Sequence, residues 1–114
     1  MRVFFDSSAF AKRFIDESGS QEIDDLCASA SEVGLSIICF PEILSALNRR
    51  LREKSIDEQD YRAAKNQLSA ESYDIDIITI TPEVVERTTF LLETNVLRAM
   101  DALHIACAQE WSAD

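Results

Sequence analysis

An α/β fold, with a parallel sheet covered by helices on both faces, is predicted by three observations. Short apolar, β-branched runs alternate with longer segments of helical periodicity, in the order β-α-α-β-α-α-β-α-α. The first of these runs is continuous rather than alternating, as a strand buried on both faces requires. Only two glycines and two prolines occur in 114 residues, so regular structure dominates and loops are short.

The elements follow in order. Val3 to Phe5 forms the first strand and ends at Asp6. Ser7 or Ser8 caps a helix in which Phe10 and Phe14 lie one turn apart, and Ser18-Gly19-Ser20 breaks it. A second helix, about 21 to 31, carries Ile23, Leu26, Cys27 and Ala30 at helical spacing and is ended by Gly34. Leu35 to Phe40 is the second strand, and Pro41 serves as the first residue of a helix over 41–54. That helix places Ile43, Leu44, Leu47 and Leu51 within an arc of about 100°. Ser55 and Glu58 form a capping box for the next helix, which runs to about residue 72 and buries Tyr61, Ala64 and Leu68. Asp76 to Ile80 is the third strand. Thr81-Pro82-Glu83 opens a helix to about Asn95, with Val84, Val85, Thr88, Leu91 and Leu92 on one face. The last helix, about 98 to 111, is apolar nearly all round and is expected to be buried.

Composition sets the class. Apolar residues make up 46% and charged residues 28%, typical of a globular chain, and residues 1–114 are read as a single domain. No apolar run reaches the ~20 residues that span a bilayer, and the start lacks a signal-peptide pattern, so a cytoplasmic protein is expected. Three widely spaced cysteines and one histidine exclude a zinc framework and point to buried, reduced thiols. The net charge of −10 removes any general electrostatic attraction for nucleic acid. The charge is uneven, however: residues 16–32 hold six acids and no base, while Arg49, Arg50, Arg52 and Lys54 cluster around Glu53.

Three acids stand out by position. In parallel α/β sheets, chemistry collects beyond the carboxyl ends of the strands. Asp6 follows the first strand, and Glu42 opens the helix after the second. Asp101 sits in the apolar last helix, where a carboxylate needs a partner or a cation. Converging carboxylates repel one another, and a hard divalent ion, Mg²⁺ or Mn²⁺, answers that demand. Each acid also has a purely structural reading: Asp6 as a helix cap, Glu42 as a dipole partner, Asp101 as half of a buried ion pair with an arginine. A phosphohydrolase using Asp6 as nucleophile is disfavoured, because no second carboxylate stands near it in the chain.

Three stretches, in this order and separation, resemble the PIN-domain ribonucleases, especially the VapC-type toxins of toxin–antitoxin pairs. They are Val3-Phe4-Phe5-Asp6-Ser7-Ser8-Ala9-Phe10-Ala11-Lys12, Pro41-Glu42-Ile43-Leu44-Ser45-Ala46-Leu47 and Asp101-Ala102-Leu103-His104-Ile105-Ala106-Cys107-Ala108. The resemblance implies a three-layer α/β/α PIN-like domain and a Mg²⁺- or Mn²⁺-dependent endoribonuclease toxin. Metal-holding roles pass to Asp6, Glu42 and Asp101, and the family's hydroxyl near the first acid to Ser8. It also implies an RNA substrate, a homodimer and a cognate antitoxin protein that blocks the active-site groove. The family's fourth acid follows a further strand after the last helix. Neither Glu110 nor Asp114 lies on that motif, so the fold is expected to lack this final C-terminal strand. A catalytically impaired PIN-like scaffold that only binds an antitoxin is the alternative reading.

A substrate path can be drawn as well. Arg49 lies about 20° and roughly 10 Å along the helix from Glu42, with Ser45 and Arg52 flanking that line. This strip suits RNA backbone phosphates, although bases at a helix end also complement its dipole. Lys12 and Arg13 form a second basic pair. Ser8 could hold a water or a phosphate oxygen, or simply cap its helix. His104, one turn past Asp101, could orient that carboxylate, touch substrate, or pack in the core.

Overall fold

The computed structural model describes residues 1–112; Asp114 lies outside them. Its strands are β1 (Arg2–Phe5), β2 (Glu32–Ser36) and β3 (Asp76–Ile78). Its helices are α1 (Ser7–Phe10), α2 (Ser20–Ser29), α3 (Cys39–Arg52), α4 (Glu58–Glu71), α5 (Pro82–Thr94) and α6 (Ala99–Trp111), with 3₁₀ turns over Ala11–Arg13 and Ser72–Asp74. Among the described residues the sheet has three parallel strands in the order β1-β2-β3, as the alternating pattern predicts. Among the described residues, no helix is long and apolar enough to cross a membrane.

The period-2 direction of strand side chains splits the core into two layers. Val3, Phe5, Val33, Leu35 and Ile75 face one way and pack with Phe10, Cys39, Ile43, Leu47, Ala64 and Leu68 from α1, α3 and α4. Phe4 and Ile78 face the other way, against Val84 and Leu91 of α5 and Leu103, Ala106 and Cys107 of α6. The result is the α/β/α arrangement. Cys39 and Cys107 are buried free thiols, as expected, whereas the free Cys27 is only half-buried.

Trp111 clasps the second layer to the sheet. Phe4, Gly34 and Asp76 are register partners across the three strands. The indole lies along this row: its ring is 5.9 Å from that of Phe4, and its Nε1–H donates to Asp76 Oδ2 at 2.9 Å. Arg2 stacks on the indole at 4.0 Å and donates to the Trp111 and Ser112 carbonyls, each at 3.0 Å. A guanidinium at a helix C-terminus also complements the helix dipole. Gly34 is the residue that admits the ring, because a Cβ there would meet Trp111 carbons at 2.9 Å. Gly34→Ala is expected to destabilise the fold by about 1–3 kcal/mol, the usual cost of overpacking, measured by urea denaturation.

Several sequence boundaries need correction. Gly34 does not end a helix; it lies inside β2, which spans Glu32–Ser36 rather than Leu35–Phe40. Ile37 and Ile38 form the turn, the Ile38 amide donates to Ser36 Oγ at 3.3 Å, and α3 begins at Cys39. Pro41 is therefore its third residue, harmless because first-turn amides have no partner within the helix. The capping box of α4 is Asp57 with Asp60, not Ser55 with Glu58. Ser55 instead donates from its backbone and hydroxyl to the Arg50 carbonyl, closing the end of α3. The last helix is not buried all round, since Met100, Asp101 and Ile105 are exposed. On α5, Val85 and Leu92 are exposed while Val84 and Thr88 face the core.

Candidate functional site

Asp6 comes directly after β1 and is the N-cap of α1. Its Oδ1 accepts from the Ala9 amide at 2.8 Å and from Ser8 Oγ at 3.1 Å. This fixes the phase of α1: Ser8 stays on the exposed side with Asp6, and Ser7 turns inward. Ser7 Oγ donates to Glu42 Oε1 and also meets Cys39 Sγ at 3.4 Å.

Glu42 stands in the first turn of α3, where the helix dipole favours its charge. Its Oε1 is also 2.8 Å from His104 Nε2, which lies 3.1 Å from Ser7 Oγ. His104 is buried on α6, so one carboxylate oxygen ties together α1, α3 and α6. A carboxylate only accepts, which puts the imidazole hydrogen on Nε2. His104 is thus neither a passive core residue nor a partner of Asp101. Hydrogen bonds to charged groups contribute about 1.5–3 kcal/mol each, enough to hold this arrangement.

Cys39 senses the charge gathered here. Burial pushes its thiol up to about 11, and the nearby Glu42 and Asp6 carboxylates push in the same direction. Asp6 directly follows β1, and Glu42 lies in the first turn of α3, the helix after β2. Asp6 and His104 also line an open cleft of about 350 Å³, together with Phe5, Ala9 and Ile105.

Asp101 is placed differently from the sequence expectation. It is exposed in the first turn of α6, one turn before His104, and makes no ion pair or hydrogen bond among the described residues. The apolar helix does not swallow it, because the side of α6 bearing Asp101 and Ile105 is open. Arg49 and Arg52 are exposed on α3 and have no carboxylate partner among the described residues, whereas Arg50 reaches Glu17 at 3.5 Å. Lys12 donates to the Ser18 carbonyl at 2.8 Å and so fastens the loop before α2. Arg13 pairs with Glu71 of α4.

Among the described residues, no three Asp, Glu, His or Cys side chains stand together as a ready-made metal shell. The donors still suit a hard cation in kind. Asp6 and Glu42 each have one oxygen engaged and the other without a hydrogen bond, and Asp101 has both open. Mg²⁺ keeps several waters and is bound through only one or two direct carboxylates, so water can complete such a shell.

Two of the central residues, Ser7 and the partner role of His104, were missed in the sequence. The signal for Ser7 was present: an Asp three residues before Ala9 is a standard N-cap spacing, and it sets which serine faces inward. For His104 only its one-turn distance from Asp101 was visible.

Comparison with known proteins gives a consistent picture. The PIN domain family matches residues 3–113. Ribonucleases VapC45 and VapC49 of Mycobacterium tuberculosis are each 27% identical to the chain over 106 residues, covering 93% of it and 74% of their own length. A toxin–antitoxin complex from Klebsiella pneumoniae superimposes with a TM-score of 0.73 at 18% identity, over 98% of this chain and 82% of the other. Mycobacterium tuberculosis VapC20, a sarcin-ricin loop cleaving toxin, gives 0.74 at 19% identity, over 99% and 85%. These two likenesses speak to the fold.

Proposed function

Since the chain belongs to the PIN-domain family, we propose that it is a Mg²⁺- or Mn²⁺-dependent endoribonuclease, the toxin of a toxin–antitoxin pair, with residues 1–114 acting as one domain. The observation that carries the reading is the state of the acids. Asp6 and Glu42 are held by internal donors, yet among the described residues each keeps one oxygen without a hydrogen bond, and Asp101 keeps both. Carboxylates without arginine or lysine partners among the described residues, two of them on elements that follow strand ends, suit a cation better than a structural role does.

Asp6, Glu42 and Asp101 would hold the ion, directly or through water. When bound, the ion lowers the pKa of a coordinated water and stabilises the charge that develops at the phosphodiester. Glu42 is oriented through Ser7 and His104, and Asp6 through Ser8 and the Ala9 amide. Ser8 can also donate toward a water or phosphate oxygen. Arg49 and Arg52, on the helix that carries Glu42, bind backbone phosphates and lead RNA toward the acids. Lys12 joins them by leaving the Ser18 carbonyl. The ribonuclease relatives support the reaction class, and the toxin–antitoxin complex among the structural neighbours supports a cognate antitoxin. A homodimer and a cytoplasmic location complete the proposal.

A second reading is favoured by one observation, the absence of three clustered ligands among the described residues. In that reading the chain is a scaffold that binds an antitoxin without cutting RNA. Calorimetric titration with Mn²⁺ separates the two. Saturable binding that weakens in Asp6→Asn supports the nuclease, and no binding supports the scaffold.

A further inference from the structure

Resting on the nuclease reading, we propose that Arg98 is a further substrate-binding residue, whose guanidinium holds an RNA backbone phosphate beside Asp101. The direction of α6 places it. His104 meets Ser7 and Glu42, on helices that follow strand ends, while Trp111 meets Arg2 at the start of β1. The helix therefore begins beyond the carboxyl edge of the sheet and runs back along it. Arg98 comes six residues before His104, about 9 Å further out along the axis, and one turn before Asp101.

Nothing within the fold accounts for an arginine at this position. Arg98 is the N-cap of α6, and its side chain makes no capping bond. Ser, Thr, Asp or Asn would accept from the first-turn amides there, whereas a guanidinium has no acceptor atom. Its charge also opposes the positive end of the helix dipole. The side chain is exposed and makes no hydrogen bond, ion pair or ring contact among the described residues, although Asp101 stands only one turn away. The surface around it is not a solvated polar face, since Val96 is fully exposed and Met100 is 40% exposed. Local rules broken without an internal compensation are expected where function sets the residue.

A phosphate supplies what the fold lacks. The planar guanidinium matches two phosphate oxygens with parallel hydrogen bonds. An anion there also relieves the like charges at the helix end. Asp101 by itself would repel a phosphodiester brought beside it, and Arg98 offsets that repulsion. The contact is to the backbone, so it positions RNA without reading its sequence. With Arg49 and Arg52 on α3, it lets RNA be held from the two helices that carry Glu42 and Asp101.

The test is fluorescence anisotropy of a labelled single-stranded RNA in EDTA across a NaCl series, paired with steady-state cleavage in Mg²⁺. The proteins are wild type, Arg98→Ala, Arg98→Lys and Arg62→Ala. Arg98→Ala is expected to weaken binding about tenfold at low salt and to reduce the slope of log K against log [salt] by about 0.7, the loss of one single-strand phosphate contact. Its KM should rise by about the same factor with kcat within about twofold, as loss of a contact shared by ground and transition states requires. Arg98→Lys keeps the charge and should keep the slope. Arg62→Ala removes an equal charge from an exposed position on α4 and should leave slope and KM unchanged. Unchanged affinity, slope and KM in Arg98→Ala, or an equal fall in Arg62→Ala, would overturn the contact while leaving the nuclease reading standing. A wild-type chain that neither binds nor cleaves RNA would overturn the nuclease reading, and the contact with it.

Discussion

Asp6→Asn and Asp101→Asn are each expected to lower RNA cleavage on the order of a thousandfold while leaving the fold intact. A metal ion's Lewis acidity supplies several kcal/mol to a phosphodiester transition state, and each 1.36 kcal/mol is tenfold in rate. Both substitutions are nearly isosteric. Asparagine caps a helix as well as aspartate does, so the bond from the Ala9 amide survives in Asp6→Asn. Asp101 has no hydrogen bond or ion pair to lose among the described residues, and its change in stability should stay within about 0.5 kcal/mol. A gel assay of internal RNA cleavage, paired with urea denaturation, measures both quantities. Normal cleavage by both variants would remove these carboxylates from the chemistry.

Trp111→Ala should be the most damaging single change to stability, about 3–5 kcal/mol by urea denaturation. The indole lies over the row of Phe4, Gly34 and Asp76 and so touches all three strands. Its loss would leave a cavity over Gly34, which has no side chain to fill it. Asp76 would lose its donor, and Arg2 the ring it stacks on. Trp111→Phe keeps most of the ring but not the N–H, and should cost about 1 kcal/mol more than a purely apolar exchange. A loss below 1 kcal/mol in Trp111→Ala would mean that the indole does not fasten α6 to the sheet.

The order of elements and the parallel sheet were legible because binary patterning carries them. Ile43 and Leu47, Ala64 and Leu68, and Val84 and Thr88 are buried as their helical spacing predicts. What stayed hidden depends on contacts distant in sequence. Gly34 reads locally as a helix terminator, yet it is needed inside β2 for a tryptophan seventy-seven residues later. Ile37 and Ile38 have strand propensity, but their place beyond the last β2–β3 register pair, Ser36 with Ile78, makes them a turn. Ser55 and Asp57 both offer capping chemistry, and Ser55 is taken by the end of α3. The burial of Asp101 was inferred from an apolar helix, but apolar composition does not say whether every side of a helix is covered.

At the acids, the sequence singles out Glu42 and Asp6 by their positions after strands. It did not reveal that Ser7 and His104 hold Glu42. Hydroxyls and a histidine have many uses, and only the packing of α1, α3 and α6 brings them to one oxygen.

The most direct measurement is internal cleavage of RNA by the purified chain in Mg²⁺, after addition of EDTA, and after restoration with Mg²⁺ or Mn²⁺. A carboxylate-held metal site predicts cleavage that stops with the chelator and returns with either ion. Cleavage undiminished by EDTA, or no cleavage under any of these conditions, would contradict it.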